Sequence, residues 1–471
     1  MKILFVCHGF PPNEKAGAET YSLNLAKSLA GRHDVYVFTR TADMGAKEYS
    51  VRDEVAEGVK VRRVVNNLLD INRFTRLYIN EDIDAEFEKF FNEVDPDIVH
   101  IQHLIGLSGT IVEIVRKREV PVVMHLHDYY YLCPMVQLID SLENVCEGPC
   151  EGYRCAMVCG DRFWIPPAVV TASPLWRMAK KIAPERLQRF VKYRVIGRKK
   201  SAQESLSAAG PICENAETPK YSARLDFHMN MLNSADLLIA PSKFTRRKFI
   251  ELGIKEDKIK ALYYGIPKKR LMEVKKQRTD KVRFGYIGTF LKHKGLDTMV
   301  EAFAMLPKDK AELYIHGYGG PDEALIIARL KRKAAGARVN FMGSFAQSEL
   351  PGILAVLDVL VTPSTWYETL NIVAREGILS GTPVIASRIG GLQESVEDGV
   401  NGFLFEPGNS GELYQKMMKF VEDPELADKM KGDCSKIIGI EEHAELMEKI
   451  YIDLIEKRSQ ARNYPADAHN R

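Results

Sequence analysis

KILFVCHGF (2–10) and VRFGYIGTF (282–290) are two short, apolar, β-rich runs that each reach a glycine near their end. A helical pattern follows both: AETYSLNLAKSLAGRHDV (18–35) after the first, KGLDTMVEAFAMLP (294–307) after the second. Leu23, Leu25, Ala26, Leu29 and Ala30 recur at a spacing that puts one apolar face against a sheet. Strand, glycine loop and helix in that order open a doubly wound α/β unit.

A later element also occurs twice. SADLLIAPSKF (234–244) and VLDVLVTPSTW (356–366) carry Asp, an apolar run and then Pro-Ser, with Asp236/Ser242 and Asp358/Ser364 at equal spacing. Between these landmarks lie further runs that read as buried strands: HDVYVFT, PDIVHIQ and VPVVMHLH in the first half, AELYIHG, RVNFMG and TPVIAS in the second. One such run would suit any α/β protein. Two sets in the same order predict α/β architecture with two Rossmann-like doubly wound domains facing a cleft. The first is expected over 1–265 and the second over 281–445, with 446–471 a helix or tail packing back on the first. Residues 146–232 break the rhythm and read as a Cys-rich and then basic insertion in the first domain.

Composition narrows the class. The chain has 471 residues, 45% of them hydrophobic and 27% charged, with 33 Gly and 22 Pro, which excludes disordered, collagen-like and disulfide-scaffold proteins. A net charge of +3 is too balanced for a global nucleic-acid or membrane coat. MKILFVCHGFPP is too short in apolar residues for a secretory segment, and no apolar run is long enough to span a bilayer. A cytoplasmic location, peripheral at the inner face of the cell membrane, is expected.

The densest chemistry lies in PSTWYETLNIVAREGILSGTPVIASRIGGLQE (363–394). Glu368 and Glu376 are eight residues apart, about 12 Å if the segment were wholly helical. The carboxyl pair of a common glycosidase stands about 5–9.5 Å apart, so two separate hydroxyl acceptors fit better than an acid/nucleophile pair. The amides of Leu370, Asn371 and Ile372 fall at a helix N-terminus, where phosphate is favoured. Taken alone, the two glutamates are equally readable as solvated helix charges.

This span resembles the C-terminal signature of glycosyltransferase family 4, the retaining nucleotide-sugar transferases of two-domain GT-B architecture. Glu368, Glu376, Gly381, Pro383, Ser387, Gly390 and Gly391 match it in order. The resemblance covers 281–445 and, more weakly, 1–140 and 230–270. It implies that Glu376 holds the donor ribose, Glu368 the donor sugar, and the amides near Asn371 the diphosphate. Asn371 replaces a common glycine, and asparagine tolerates a left-handed backbone better than most residues. Lys294 matches the lysine that neutralises the diphosphate. The family's arginine five residues earlier is Thr289 here, with Lys292 as a substitute. Gly17 in AGAE (16–19) matches the glycine loop near the donor phosphate, although a plain helix entry reads as well. His127 and Asp128 match a His-Asp pair whose histidine contacts the donor sugar; a structural histidine is the alternative.

The implied reaction is retaining transfer from a UDP-, GDP- or ADP-linked sugar to a hydroxyl of a lipid-linked or polysaccharide acceptor in envelope glycan synthesis. No cofactor is expected for catalysis, since no Asp-x-Asp motif stands where a metal-using transferase needs one. Cys146, Cys150, Cys155 and Cys159 have near-ligand spacing for structural zinc, with an iron–sulfur cluster or metal-free thiols as alternatives. Residues 176–200 hold ten Lys/Arg against one Glu, interleaved with Trp176, Phe190 and Tyr193. That stretch reads as a contact for an anionic membrane surface, or as a helix packed on its own domain. Nucleic acid is not expected. The rival functions are a non-catalytic, membrane-associated sugar-nucleotide-binding protein and an NAD-dependent dehydrogenase. For the latter, only GYGG (317–320) offers a weak match.

Overall fold

The computed structural model describes residues 1–14, 16–69, 74–160, 218–430 and 432–463. The basic stretch 176–200, and most of the expected insertion, lie outside the described residues. The chain forms two compact units: Met1–Ala240 with Arg246–Lys260 and Ala444–Arg471, and Pro241–Thr245 with Ala261–His443.

In chain order the earlier elements are β1 (Lys2–Cys7), α1 (Gly17–Ala30), β2 (Asp34–Thr41), β3 (Val51–Ala56), β4 (Val59–Val65), α2 (Glu81–Val94), β5 (Ile98–Ile101), α3 (Ile111–Lys117), β6 (Val122–His125), α4 (Thr218–Ser234), β7 (Leu237–Ala240), α5 (Lys243–Glu251) and β8 (Ile259–Ala261). The eight strands form one sheet in the order β3-β4-β2-β1-β5-β6-β7-β8. β1 pairs in parallel with β2, Ile3 opposite Val35, and with β5, Ile3 opposite Ile98; β3 runs antiparallel to β4. Ile3 to Val6 are fully buried without alternation, as a parallel strand covered on both faces requires.

Local signals set the helices. Asn80 caps α2 by accepting from the Ile83 N–H at 3.3 Å, and Glu81, Asp82 and Asp84 favour its positive end. Ile83, Phe87, Phe90, Phe91 and Val94 form its buried stripe, each worth about 1.5–3 kcal/mol. Asp95 ends the helix in a left-handed conformation.

The later elements are α6 (Lys269–Met272), β9 (Val282–Ile287), α7 (Leu296–Ala304), β10 (Ala311–His316), α8 (Glu323–Lys333), β11 (Val339–Gly343), α9 (Leu350–Val356), β12 (Val359–Thr362), α10 (Ile372–Leu379), β13 (Val384–Ser387), β14 (Gly402–Phe405), α11 (Ser410–Glu422), α12 (Leu426–Lys429) and α13 (Ile440–Asn463). Six parallel strands run in the order β11-β10-β9-β12-β13-β14 around a core that includes Phe284, Leu313, Val359 and Ile385. From Ala444 onward the chain belongs to the first unit, where Tyr451 Oη meets His100 Nδ1 at 2.5 Å and Arg458 reaches Asp236 at 3.1 Å.

The two sheets repeat one layout. β2-β1-β5 in the first matches β10-β9-β12 in the second, so strand order reverses at β1/β5 and again at β9/β12. Open α/β sheets bind ligands beyond the carboxyl ends of the strands at such a reversal. Among the described residues, no helix is long and apolar enough to cross a membrane.

Candidate functional site

The loops leaving β9 and β12 meet at the reversal of the second sheet. Gly295 has a left-handed φ of 76°, and a Cβ there would stand 1.8 Å from the Pro363 carbonyl oxygen. Glycine therefore lets the first loop lie directly on the second. The ammonium of Lys294 reaches Glu368 Oε1 at 2.7 Å, and the Ser364 hydroxyl donates to the same oxygen at 2.6 Å. Lys294 also lies 4.8 Å from the Trp366 ring centroid. Burial pushes the Glu368 carboxyl up, but Lys294 and the hydrogen bonds it receives hold it below the usual value. Glu368 is thus a buried, ionised carboxylate.

Its backbone is fixed from the other side. The Gly391 N–H donates to the Glu368 carbonyl at 2.6 Å, and a Cβ on Gly391 would lie 2.2 Å from the Thr369 carbonyl oxygen. The signature glycines act as packing surfaces for the Glu368 loop. Glu394 ends their turn, accepting from the N–H groups of Lys243 and Phe244 and from the Tyr263 hydroxyl at 2.9, 2.6 and 2.9 Å.

α10 begins at Ile372, so Glu368 precedes the helix and the wholly helical spacing does not apply. The backbone of Asn371 is extended (φ −94°, ψ 102°), because it is the N-cap: its side chain accepts from the Ala374 N–H at 2.9 Å. Leu370 is buried before the cap, and Ile372 opens the first turn, whose amides lack intrahelical acceptors. Glu376 is buried within α10 and accepts from Gln347 Nε2 at 3.0 Å. Burial raises its carboxyl to about 7 against the opposing Gln347 hydrogen bond. Lys292 is exposed at the start of the turn that ends at Lys294.

In the first unit, Gly17 is the exposed first residue of α1, after Ala16 at the N-cap, so the helix-entry reading describes its place. His127 follows β6 and is buried; its Nε2–H donates to the side-chain oxygen Oε1 of Gln102 at 2.9 Å. Burial, with His103, His8 and His100 nearby, pushes this imidazole well below its ordinary value and keeps it neutral. Asp128 accepts from the Tyr130 N–H at 2.8 Å and from His103 Nε2 at 3.1 Å. His103 is restricted to that tautomer, because its Nδ1 accepts from the Ile105 N–H. His8 adds a second imidazole–carboxylate pair with Glu19 at 3.1 Å.

Residues 267–433 match the family described as "Glycosyl transferases group 1", and residues 16–147 match "Glycosyltransferase Family 4". The chain belongs to this glycosyltransferase family. Among its relatives are a D-inositol 3-phosphate glycosyltransferase of Streptomyces avermitilis, 26% identical over 45% of this chain and 50% of the relative, and an uncharacterized 41.2 kDa protein in the cps region of Klebsiella pneumoniae, 27% identical over 41% and 55%. The matched segments span about half the length of these relatives. The fold is that of GT-B glycosyltransferase structures. These include sucrose-phosphate synthase from Thermosynechococcus elongatus (TM-score 0.65, 19% identity, 97% and 99% of the two chains) and Anabaena HepE in complex with UDP and glucose (0.58, 18%, 98% and 99%).

Several residues around this site carry weaker marks in the sequence. Ser364 was visible as part of the repeated Pro-Ser, and Glu394 closes the quoted signature; Gln347, Gln102 and His103 left no local signal. The cysteine set is also redrawn. Cys146, Cys155 and Cys159 are buried together with Cys133, whereas Cys150 is exposed in a left-handed turn (φ 47°). Among the described residues, no three His, Cys, Asp or Glu side chains are set to hold a metal ion.

Proposed function

We propose that the chain is a retaining, metal-independent glycosyltransferase that moves a sugar from a nucleoside diphosphate to an acceptor hydroxyl. The observation that carries this reading is the ion pair of Lys294 with buried Glu368, beside the N-terminus of α10 at the β9/β12 reversal. Glu368 offers carboxylate acceptors to sugar hydroxyls, and the first-turn amides and Lys294 offer positive charge to a diphosphate. Glu376 receives the ribose hydroxyls, with Lys292 a further cation for the phosphates. His127 and Asp128 are the first unit's residues for sugar hydroxyls, and Gly17 opens α1, where a bare backbone allows close approach.

In the transfer step the anomeric carbon–oxygen bond to the diphosphate breaks. The new glycosidic bond forms on the same face, and the leaving diphosphate oxygen takes the acceptor's proton. The relative that acts on an inositol phosphate and the sucrose-phosphate synthase neighbour both fit transfer to a polyol hydroxyl. A lipid-linked or polysaccharide acceptor, reached at an anionic membrane surface through 176–200, belongs to the same proposal.

A thermal-shift screen of UDP-, GDP- and ADP-sugars tests donor binding, since a ligand of the native state raises apparent stability. NMR of the product then reads the anomeric configuration. Retention with activity unchanged by EDTA supports the reading. Inversion, or activity lost to EDTA and restored by Mg²⁺ or Mn²⁺, refutes it.

A further inference from the structure

Cys133, Cys146, Cys155 and Cys159 line one pocket of about 10 Å³, at the lower limit for a single water. The rest of its wall is apolar, from Leu132, Leu138, Ile139 and Pro149, apart from the guanidinium of Arg154. We propose that these four thiolates, with Cys133 in place of Cys150, bind a structural zinc ion.

Three short pieces of backbone bring the sulfurs together. Cys133 closes a turn by donating its N–H to the Tyr129 carbonyl at 2.7 Å. Cys146 ends a small hairpin, donating to the Leu138 carbonyl at 2.7 Å next to an Ile139–Val145 bridge. Cys155 and Cys159 bracket one π-helical turn, closed by the Gly160 N–H on the Cys155 carbonyl at 2.9 Å; such turns are rare and recur at functional sites. Cys150 is exposed to solvent and outside the pocket wall; its sulfur lies 3.9 Å from the Gly148 carbonyl oxygen, which the Cys146 sulfur approaches at 3.3 Å from the pocket side.

On binding a divalent cation the four thiols would release four protons and give a tetrahedral complex of charge −2, beside Arg154 as counter-charge. The four cysteines line the pocket, although they are not set at ligand geometry among the described residues. The bound ion would draw them to about 2.3 Å. It would also tie the segment that carries His127 and Asp128 to the π-turn packed on Tyr221 of α4.

The test uses the full-length chain purified without chelator. The proposal expects about one zinc per chain by elemental analysis, and the intense charge-transfer and d–d bands of tetrahedral tetrathiolate cobalt after Co²⁺ substitution. Cys150→Ser should keep the metal and Cys133→Ser should lose it. If Cys133→Ser fails to fold, retention in Cys150→Ser and a four-thiolate cobalt spectrum in the wild type decide the matter. Loss in Cys150→Ser with retention in Cys133→Ser, iron in place of zinc, a disulfide among the four, or metal-free protein with all thiols reduced would overturn it.

Discussion

Two segments with the same sequence rhythm end differently. Asp236 accepts the Val122 N–H at 2.8 Å and ties the start of β7 to β6; Asp358 accepts the Arg283 N–H at 2.8 Å and ties the start of β12 to β9. Six residues later the likeness stops. Ser242 accepts from the Thr245 N–H, and α5 starts at once. After Ser364 the chain runs through 365–371 before α10 begins, and Ser364 turns its hydroxyl to Glu368 while Asn371 takes over the capping. The aspartates maintain the sheet, and the added loop carries the buried Glu368 with its Ser364 and Lys294 partners. A strand–helix joint gains room for a buried carboxylate when its helix is delayed.

The sharpest way to break that contrast is to remove the loop's cation. Lys294→Met leaves Glu368 charged and buried without its partner, at a cost of about 3 kcal/mol. Urea unfolding should show that loss, and sugar transfer should fall by at least about 100-fold. The shared aspartates come next. Asp358 also pairs with Arg283 and Arg278, whereas among the described residues Asp236 adds Arg458. Asp358→Ala is expected to cost about 3 kcal/mol and Asp236→Ala about 1–2 kcal/mol by thermal unfolding. Equal losses would erase the distinction.

Glu376 gives a pH signature of smaller size. Its folded pKa is raised, to about 7, so between the unfolded value of 4.5 and 7 the native state holds more protons than the unfolded chain. Stability relative to Glu376→Gln should therefore fall by about 2 kcal/mol from pH 5 to pH 7 and level off above. Denaturation of both proteins across that range reads the difference. The smallest effects belong to the caps: Asn371→Ala and Ser242→Ala should each cost about 1 kcal/mol, and only the former should weaken donor binding.

The duplicated strand runs were legible because buried parallel strands are continuous apolar segments, and 2–10 and 282–290 are both such runs. Glu368, Glu376 and Lys294 were legible because their pattern is ordered along the chain. What the sequence hid was set by direction rather than residue type. A serine after a strand can cap a helix or hold a carboxylate, and Ser242 and Ser364 divide those roles. Asparagine suits both a left-handed turn and an N-cap, and Asn371 takes the cap. Gln347 reaches Glu376 from 29 residues away. Cysteine spacing gave three of the four pocket thiols, but the hairpin and the left-handed turn at Cys150 exchange it for Cys133.

Calorimetric titration of the wild type, Glu368→Gln and Glu376→Gln with UDP-, GDP- and ADP-sugars tests the central claim most directly. The account predicts that one donor class binds the wild type, that Glu376→Gln weakens both the sugar and its free nucleotide, and that Glu368→Gln weakens the sugar nucleotide far more than the free diphosphate. Equal binding of all three proteins, or no binding of any nucleotide by the folded wild type, would contradict it.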